Sequence, residues 1–256
     1  MYPQIEVLGI TIYVFGLSLS VSFVLFFFIL HKLSEKFGIN ANFFLGNVLW
    51  FFLSIFVFSR FFYIIAEWRD FQFLWSQGIL KFFFMSDYNF SLMGGILGFM
   101  IVLLFQLKRF KISSRKYIDA IVLAFFFAAI IGFIGAFFGG QIYGKPTDSF
   151  MGIASNSDVS NTPYTSPMFP LAPLYSFISF VLFFCLYLVR KFTKIEGLVG
   201  YMGMLLFAIL LFSAEFYTGG TDLFKVYLFF NLNQIGSVVM FGIGARGLYK
   251  IYKEEA

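Results

Sequence analysis

The chain alternates long apolar runs with short polar connections, and each run has about the length of a bilayer crossing. The runs lie at about 10–30, 44–65, 92–107, 118–138, 173–189, 198–216 and 228–249. Each meets or approaches the roughly 17–25 residues that a transmembrane helix needs. None shows the two-residue alternation of a membrane barrel strand, and a helix satisfies its backbone within a single run. The pattern predicts an all-α integral membrane protein, a single domain over 1–256 with seven transmembrane helices.

Charge sets the expected orientation. One set of connections carries Lys32, Lys36, Lys108, Arg109, Lys111, Arg115, Lys116, Arg190, Lys191, Lys194, Arg246, Lys250 and Lys253; the other carries Arg69, Lys81, Lys145 and Lys225. Thirteen against four places the first set in the cytoplasm, with the N-terminus outside and the C-terminus cytoplasmic. The first 31 residues hold no Lys or Arg, so no cleavable signal peptide is expected. Hydrophobic residues are 60% and charged residues 12%, which excludes an ordinary soluble domain. The net charge of +5 sits almost wholly in the connections, so a membrane is expected as partner and nucleic acid is not. One cysteine, Cys185, and one histidine, His31, predict no intramolecular disulfide, no metal cluster and no cofactor.

Two longer connections, about 67–90 and 143–172, fall on the predicted outer side. The first is aromatic and amphipathic around Phe71-Gln72-Phe73-Leu74-Trp75, which suits an interfacial segment. The second runs from Gly144-Lys145-Pro146-Thr147-Asp148 to Pro163, Pro167 and Pro170, the composition of an ordered loop or lid. Polar residues gather at the outer ends of the runs: Arg60, Gln141, Glu215, Asn231, Asn233 and Gln234. An Arg at bilayer depth costs about 2.5–3.5 kcal/mol, so Arg60 needs a partner, a wet cavity or a path to the headgroups. Glu215, at similar predicted depth, is the expected partner or co-lining residue; ordinary polar helix ends remain the alternative. Ser91-Leu92-Met93-Gly94-Gly95-Ile96-Leu97-Gly98 and the glycine-rich stretch 132–144 predict close helix approach. Asp119 opens the fourth run beside Lys116, where a negative charge favours the helix dipole.

In this order, the features resemble the prolipoprotein diacylglyceryl transferases, nearly end to end. Val14-Phe15-Gly16-Leu17 is similar to the family's aromatic-Tyr-Gly-Leu passage, and Ser59-Arg60 through Tyr63 to its Gly-Arg…Tyr. The stretch from Ser91 to Gly98 resembles Ser-Phe-His-Gly-Gly-Leu-Ile-Gly. Gly132 to Gly144 resembles the signature Gly-Arg-x-Gly-Asn-Phe-x-Asn-x-Glu-x-x-Gly. Asp119 matches the Asp that opens the fourth span; Pro173-Leu174-Tyr175, Glu215-Phe216 and Asn233-Gln234-Ile235 resemble later family passages. Gly132, Gly135, Phe137 and Gly144 of the signature are kept, but Phe133 stands for its Arg, Ala136 and Gly139 for its two Asn, and Gln141 for its Glu. Met93 stands for the His before Gly-Gly, Phe15 for the first-span Tyr, and Leu211 for the Arg one turn before Glu215.

The resemblance implies a lipid-handling protein of a bacterial cytoplasmic membrane. Family members move a diacylglyceryl group from phosphatidylglycerol to the lipobox cysteine of a prolipoprotein. It implies a phosphatidylglycerol-like phospholipid and a prolipoprotein signal peptide as partners. The implied lipid-binding residues are Arg60, Gly94, Gly95, Gly135, Gln141, Gly144, Tyr175 and Glu215, with Arg60, Glu215 and Gln141 as catalytic candidates. Three readings stay open: an active transferase with a rebuilt site, a catalytically reduced relative that binds phospholipid or signal peptide, and a small-solute transporter. A transporter commonly carries inverted repeats, and the sequence shows no such symmetry.

Overall fold

A β-hairpin, not a helix, opens the described part of the chain. The computed structural model describes residues 3–7, 10–71, 90–154, 165–220 and 229–255. Strands β1 (Gln4–Val7) and β2 (Ile10–Tyr13) pair antiparallel, with Gln4 opposite Tyr13 and Ile5 opposite Ile12. The first helix, α1 (Val14–Phe37), starts only after them. The first run, expected from about residue 10, thus becomes helical only at Val14, and the hairpin is a small addition to an otherwise helical structure. Ile10, Thr11, Ile12 and Tyr13 are β-branched or aromatic, and such residues favour a pleated ribbon over a helix when a partner strand is at hand.

The remaining elements are helical: α2 (Ala41–Leu45), α3 (Val48–Ala66), α4 (Trp68–Phe71), α5 (Leu92–Arg109), α6 (Ser114–Gly139), α7 (Leu171–Phe192), α8 (Leu198–Ala214) and α9 (Leu232–Glu255). A short 3₁₀ turn, Glu215–Tyr217, continues α8. Among the described residues, six helices are long and apolar enough to cross a bilayer: α1, α3, α5, α6, α7, and α8 with its 3₁₀ extension. Helix α9 has the length, at 24 residues, but carries Gly236, Gly242, Gly244 and Gly247 together with Arg246, Lys250 and Lys253. Large apolar side chains such as Leu49, Phe105 and Phe177 are exposed on the spanning helices, as lipid contact requires. Residues 72–89 of the expected interfacial segment, and 155–164 of the expected lid, lie outside the described residues.

The chain forms two compact units: Met1–Ala41 with Arg115–Gly220 and Met240–Ala256, and Asn42–Ser114 with Thr221–Val239. In the second unit, α3 and α5 meet at backbone distance. A Cβ on Gly94 would lie 2.5 Å from the Phe58 carbonyl oxygen, and one on Gly98 2.5 Å from that of Ser54. A Cβ on Gly95 would meet Ile55 and Ser59 at ordinary distances of 3.5 and 3.6 Å. Ser91 begins α5: its hydroxyl accepts from the Gly94 N–H at 3.2 Å, and its own N–H donates to the Ser59 carbonyl at 3.0 Å.

In the first unit, α6 is the shared partner. Ala120, Leu123, Ala124 and Phe126 on it are buried. Gly132, Gly135 and Gly139 face Ser22, Ser18 and Phe15 of α1, and a Cβ on Gly135 would collide with Ser18. Gly200 and Gly203 of α8 do the same against Ile118 and Val122 of α6. Asp119, fully buried, accepts the N–H of Gly197 at 2.9 Å and of Gly200 at 2.7 Å, and lies 3.8 Å from Arg190. The dipole it serves belongs to α8 rather than to its own helix, so it ties two helices together. Lys116 instead pairs with Glu196 at 3.1 Å.

Two outcomes follow for stability in detergent, read by thermal unfolding. Asp119→Ala, which strips two helix-end donors of their acceptor, lowers stability by about 2 kcal/mol, and Asp119→Asn by less. Gly98→Ala costs about 1–3 kcal/mol by overpacking α3 against α5, whereas Gly95→Ala is near neutral.

Candidate functional site

Helix α6 ends where Gly140 takes φ +68°, and the Gln141 N–H closes back on the Ala136 carbonyl at 3.0 Å. From there the chain forms a strap. Lys145 N–H donates to Tyr217 O at 2.8 Å, Gly219 N–H to Tyr143 O at 3.0 Å, and Phe169 N–H to Lys145 O at 3.0 Å. Gly144 sits directly against the Phe169 backbone, with no room for a side chain. The expectation of an ordered loop holds for the described residues of this connection.

Beneath the strap, α7 and the end of α8 bring two polar side chains together. The Tyr175 hydroxyl donates to Glu215 Oε1 at 2.8 Å, with the residues 2% and 5% exposed. On the α6 side they meet apolar residues. The Phe133 ring lies 5.1 Å from that of Tyr175, tilted by 33°, and Ala136 beside it on α6 is buried. A hydrogen bond to a charged group is worth about 1.5–3 kcal/mol, and more is lost when the acceptor is left buried. Gln141 is half-buried and its amide donates to the Gly139 carbonyl at 3.4 Å. Nearby, Ile134, Phe138, Pro173, Phe177 and Phe180 line an open apolar groove of about 470 Å³ between α6 and α7.

The second unit holds Arg60 and Met93. Arg60 is 3% exposed, so it does not snorkel to the headgroups. Its guanidinium lies 5.5 Å from the Tyr63 ring centre and 5.3 Å from that of Phe71, within cation–π range. Met93 is buried, and its side chain packs against Gly236 at the start of α9, where no Cβ would fit. Asn231 and Gln234 cap that same helix. Gln234 N–H donates to Asn231 Oδ1 at 2.8 Å and Asn231 N–H to Gln234 Oε1 at 3.1 Å.

Of the site residues read from the sequence, Tyr175 and Glu215 meet each other. Arg60, over the Tyr63 and Phe71 rings, belongs to the second unit, and Glu215 to the first. Gly94, Gly135 and Gly144 have packing roles, and Gly95 has space beside it. Sequence reasoning missed the aromatic cradle of Arg60 and the reciprocal cap. The spacing Asn231-x-x-Gln234 carried a signal for the cap, and Tyr63 one turn beyond Arg60 carried one for half of the cradle.

Tyr175→Phe is expected to destabilise the protein by about 1.5–3 kcal/mol in detergent unfolding, because the carboxylate loses a buried donor. Glu215→Gln, which keeps an acceptor oxygen, costs less than Glu215→Leu.

Comparison with known proteins places these features. The family model for prolipoprotein diacylglyceryl transferase matches residues 3–250. A phosphatidylglycerol–prolipoprotein diacylglyceryl transferase of Prochlorococcus marinus strain MIT 9215 is 28% identical over 149 residues, 54% of this chain and 50% of the relative. One of strain MIT 9301 is 29% identical over 153 residues, with the same shares. A protein so named from Deinococcus radiodurans is 26% identical over 110 residues, 43% of this chain and 32% of the relative. The match spans about half the length of the Prochlorococcus relatives. With a family match over almost the whole chain and six helices fit to cross a bilayer, this is a multi-pass membrane protein that belongs to the prolipoprotein diacylglyceryl transferase family.

Proposed function

We propose that the protein handles phosphatidylglycerol-like phospholipid and the signal peptide of a prolipoprotein in a bacterial cytoplasmic membrane, as a diacylglyceryl transferase of reduced rate. What carries this reading is the buried Tyr175–Glu215 pair, retained in a scaffold whose glycine contacts follow the family signature. The groove between α6 and α7, apolar and open to the side, suits an acyl chain.

Transfer needs three things. A cysteine sulfur forms a bond to the glycerol carbon that bears the phosphate, and its proton goes to a base. The carbon–oxygen bond breaks, and glycerol phosphate leaves with the electron pair, stabilised by positive or hydrogen-bonding groups. Lipid and peptide must be held together while this happens. Glu215 is the remaining carboxylate able to take a proton, Arg60 the remaining cation, and Gln141 a neutral donor. Where the family has a base and an Arg, Met93 and Phe133 are packed into apolar surroundings. Loss of a base commonly costs 10²–10⁴ in rate and loss of an electrostatic donor 10²–10³, so binding outlasts fast turnover. The binding-only alternative draws on this same apolar packing; the transporter alternative draws on nothing in the fold.

Mass detection of a lipidated lipobox peptide, run beside a family member with the full polar site, tests the rate. Transfer at least about 10²-fold below that control is expected. Turnover within tenfold would contradict it. Met93→His, which returns an imidazole, raises the rate by about 10²-fold.

The orientation proposed is N-terminus outside, C-terminus cytoplasmic, with α9 as a seventh crossing. In a Cys185→Ala background, an impermeant thiol reagent outside intact cells labels Ser157→Cys and spares Lys253→Cys. The reverse pattern inverts the topology, and labelling of both removes the seventh crossing.

A further inference from the structure

The strap carries one feature that the site above does not use. Between Thr147 and Gly152 the chain turns tightly and points Phe150 away from the protein, 96% exposed, with Met151 beside it 47% exposed. The exposure is imposed rather than accidental. Gly152 N–H donates to Ser149 O at 2.8 Å, Ser149 N–H to Thr147 Oγ1 at 3.2 Å, and Met151 N–H to Ser149 Oγ at 3.4 Å. Both legs of the turn are pinned below it. Thr147 N–H donates to Pro167 O at 2.9 Å, and Ile153 and Met168 exchange backbone hydrogen bonds at 2.9 and 3.0 Å. A ring on so constrained a turn stays out of the core, and with Met151 it presents apolar surface to whatever lies beside the turn.

We propose that this turn is a membrane anchor, with Phe150 and Met151 inserted into the interfacial region of the leaflet at which α6 ends. The position fits. Phe150 is six residues beyond Gly144, which is tied to the ends of spanning helices through Phe169 and Thr218. Six residues reach at most ~20 Å, so the turn stays within range of the headgroups. The base of the strap is itself aromatic: the Phe169 and Tyr217 rings stack at 4.9 Å, and Phe216 and Tyr217 are exposed, a composition typical of the bilayer–water boundary. Exposed Lys145 adds a positive charge at that level for lipid phosphate. The anchor holds the strap down over the Tyr175–Glu215 pair without touching either residue.

The test uses a nitroxide on Met151→Cys in the Cys185→Ala protein, reconstituted in phosphatidylglycerol–phosphatidylethanolamine vesicles. Collision with dissolved oxygen, enriched in lipid, is compared with collision with an aqueous nickel chelate. The label at 151 is expected to favour oxygen, and one on Asp148→Cys to favour nickel. Adding Phe150→Asp is expected to move the 151 label toward nickel. A 151 label that favours nickel from the start overturns the proposal, because the turn then stands in water. A label shielded from both reagents also overturns it, because protein, such as a second copy of the chain, then covers the turn. A label unmoved by Phe150→Asp removes Phe150 as the anchor.

Discussion

Helices in a lipid bilayer gain little from burying one apolar side chain against another, because the lipid tails are equally apolar. Their association depends on how closely the backbones approach. Three helix contacts among the described residues obey that constraint. Gly94 and Gly98 let α5 sit on the backbone of α3; Gly132, Gly135 and Gly139 bring α6 to α1; Gly200 and Gly203 bring α8 to α6. The single buried charge at the Gly200 end, Asp119, adds a directional tie where two helix-end N–H groups need an acceptor.

The close approach also shapes the chemistry. With α6 fixed against α1 and α8, it presents Phe133 beside Tyr175, and the strap beyond Gly140 pairs with the chain just past the end of α8. Tyr175 and Glu215 are thus held in a buried site, where a hydrogen bond to a carboxylate is strong and its loss costly. Met93 and Phe133, at positions where the resemblance leads one to expect ionisable side chains, pack against Gly236 and Tyr175 respectively.

Much of this was legible in the sequence because lipid imposes a length and a polarity on each crossing. Six of the seven apolar runs reappear as spanning helices, with ends shifted by a few residues. The glycine passages announced close packing, and the family resemblance was carried by residues such as Gly132, Gly135, Gly144 and Glu215. The N-terminal hairpin was hidden because Ile10 to Tyr13 is as apolar as the helix it precedes, and only pairing with Gln4–Val7 reveals it. Asp119 was legible as a helix-end charge, but the helix it caps lies some eighty residues away in sequence, beyond any local pattern. The surroundings of Arg60 were half legible: Tyr63 lies one helical turn away, whereas Phe71 follows a break in the helix that the sequence pattern does not mark.

The central claim is that the scaffold still recognises the family's lipid although its reactive groups are largely replaced. Native mass spectrometry of the protein, released from membranes of mixed phosphatidylglycerol, phosphatidylethanolamine and phosphatidylcholine, tests this most directly. The account predicts retained phosphatidylglycerol in excess of its share of the membrane, with the excess lost in Arg60→Leu or Glu215→Leu protein that remains folded. Retention of the three lipids in proportion to their abundance would contradict it.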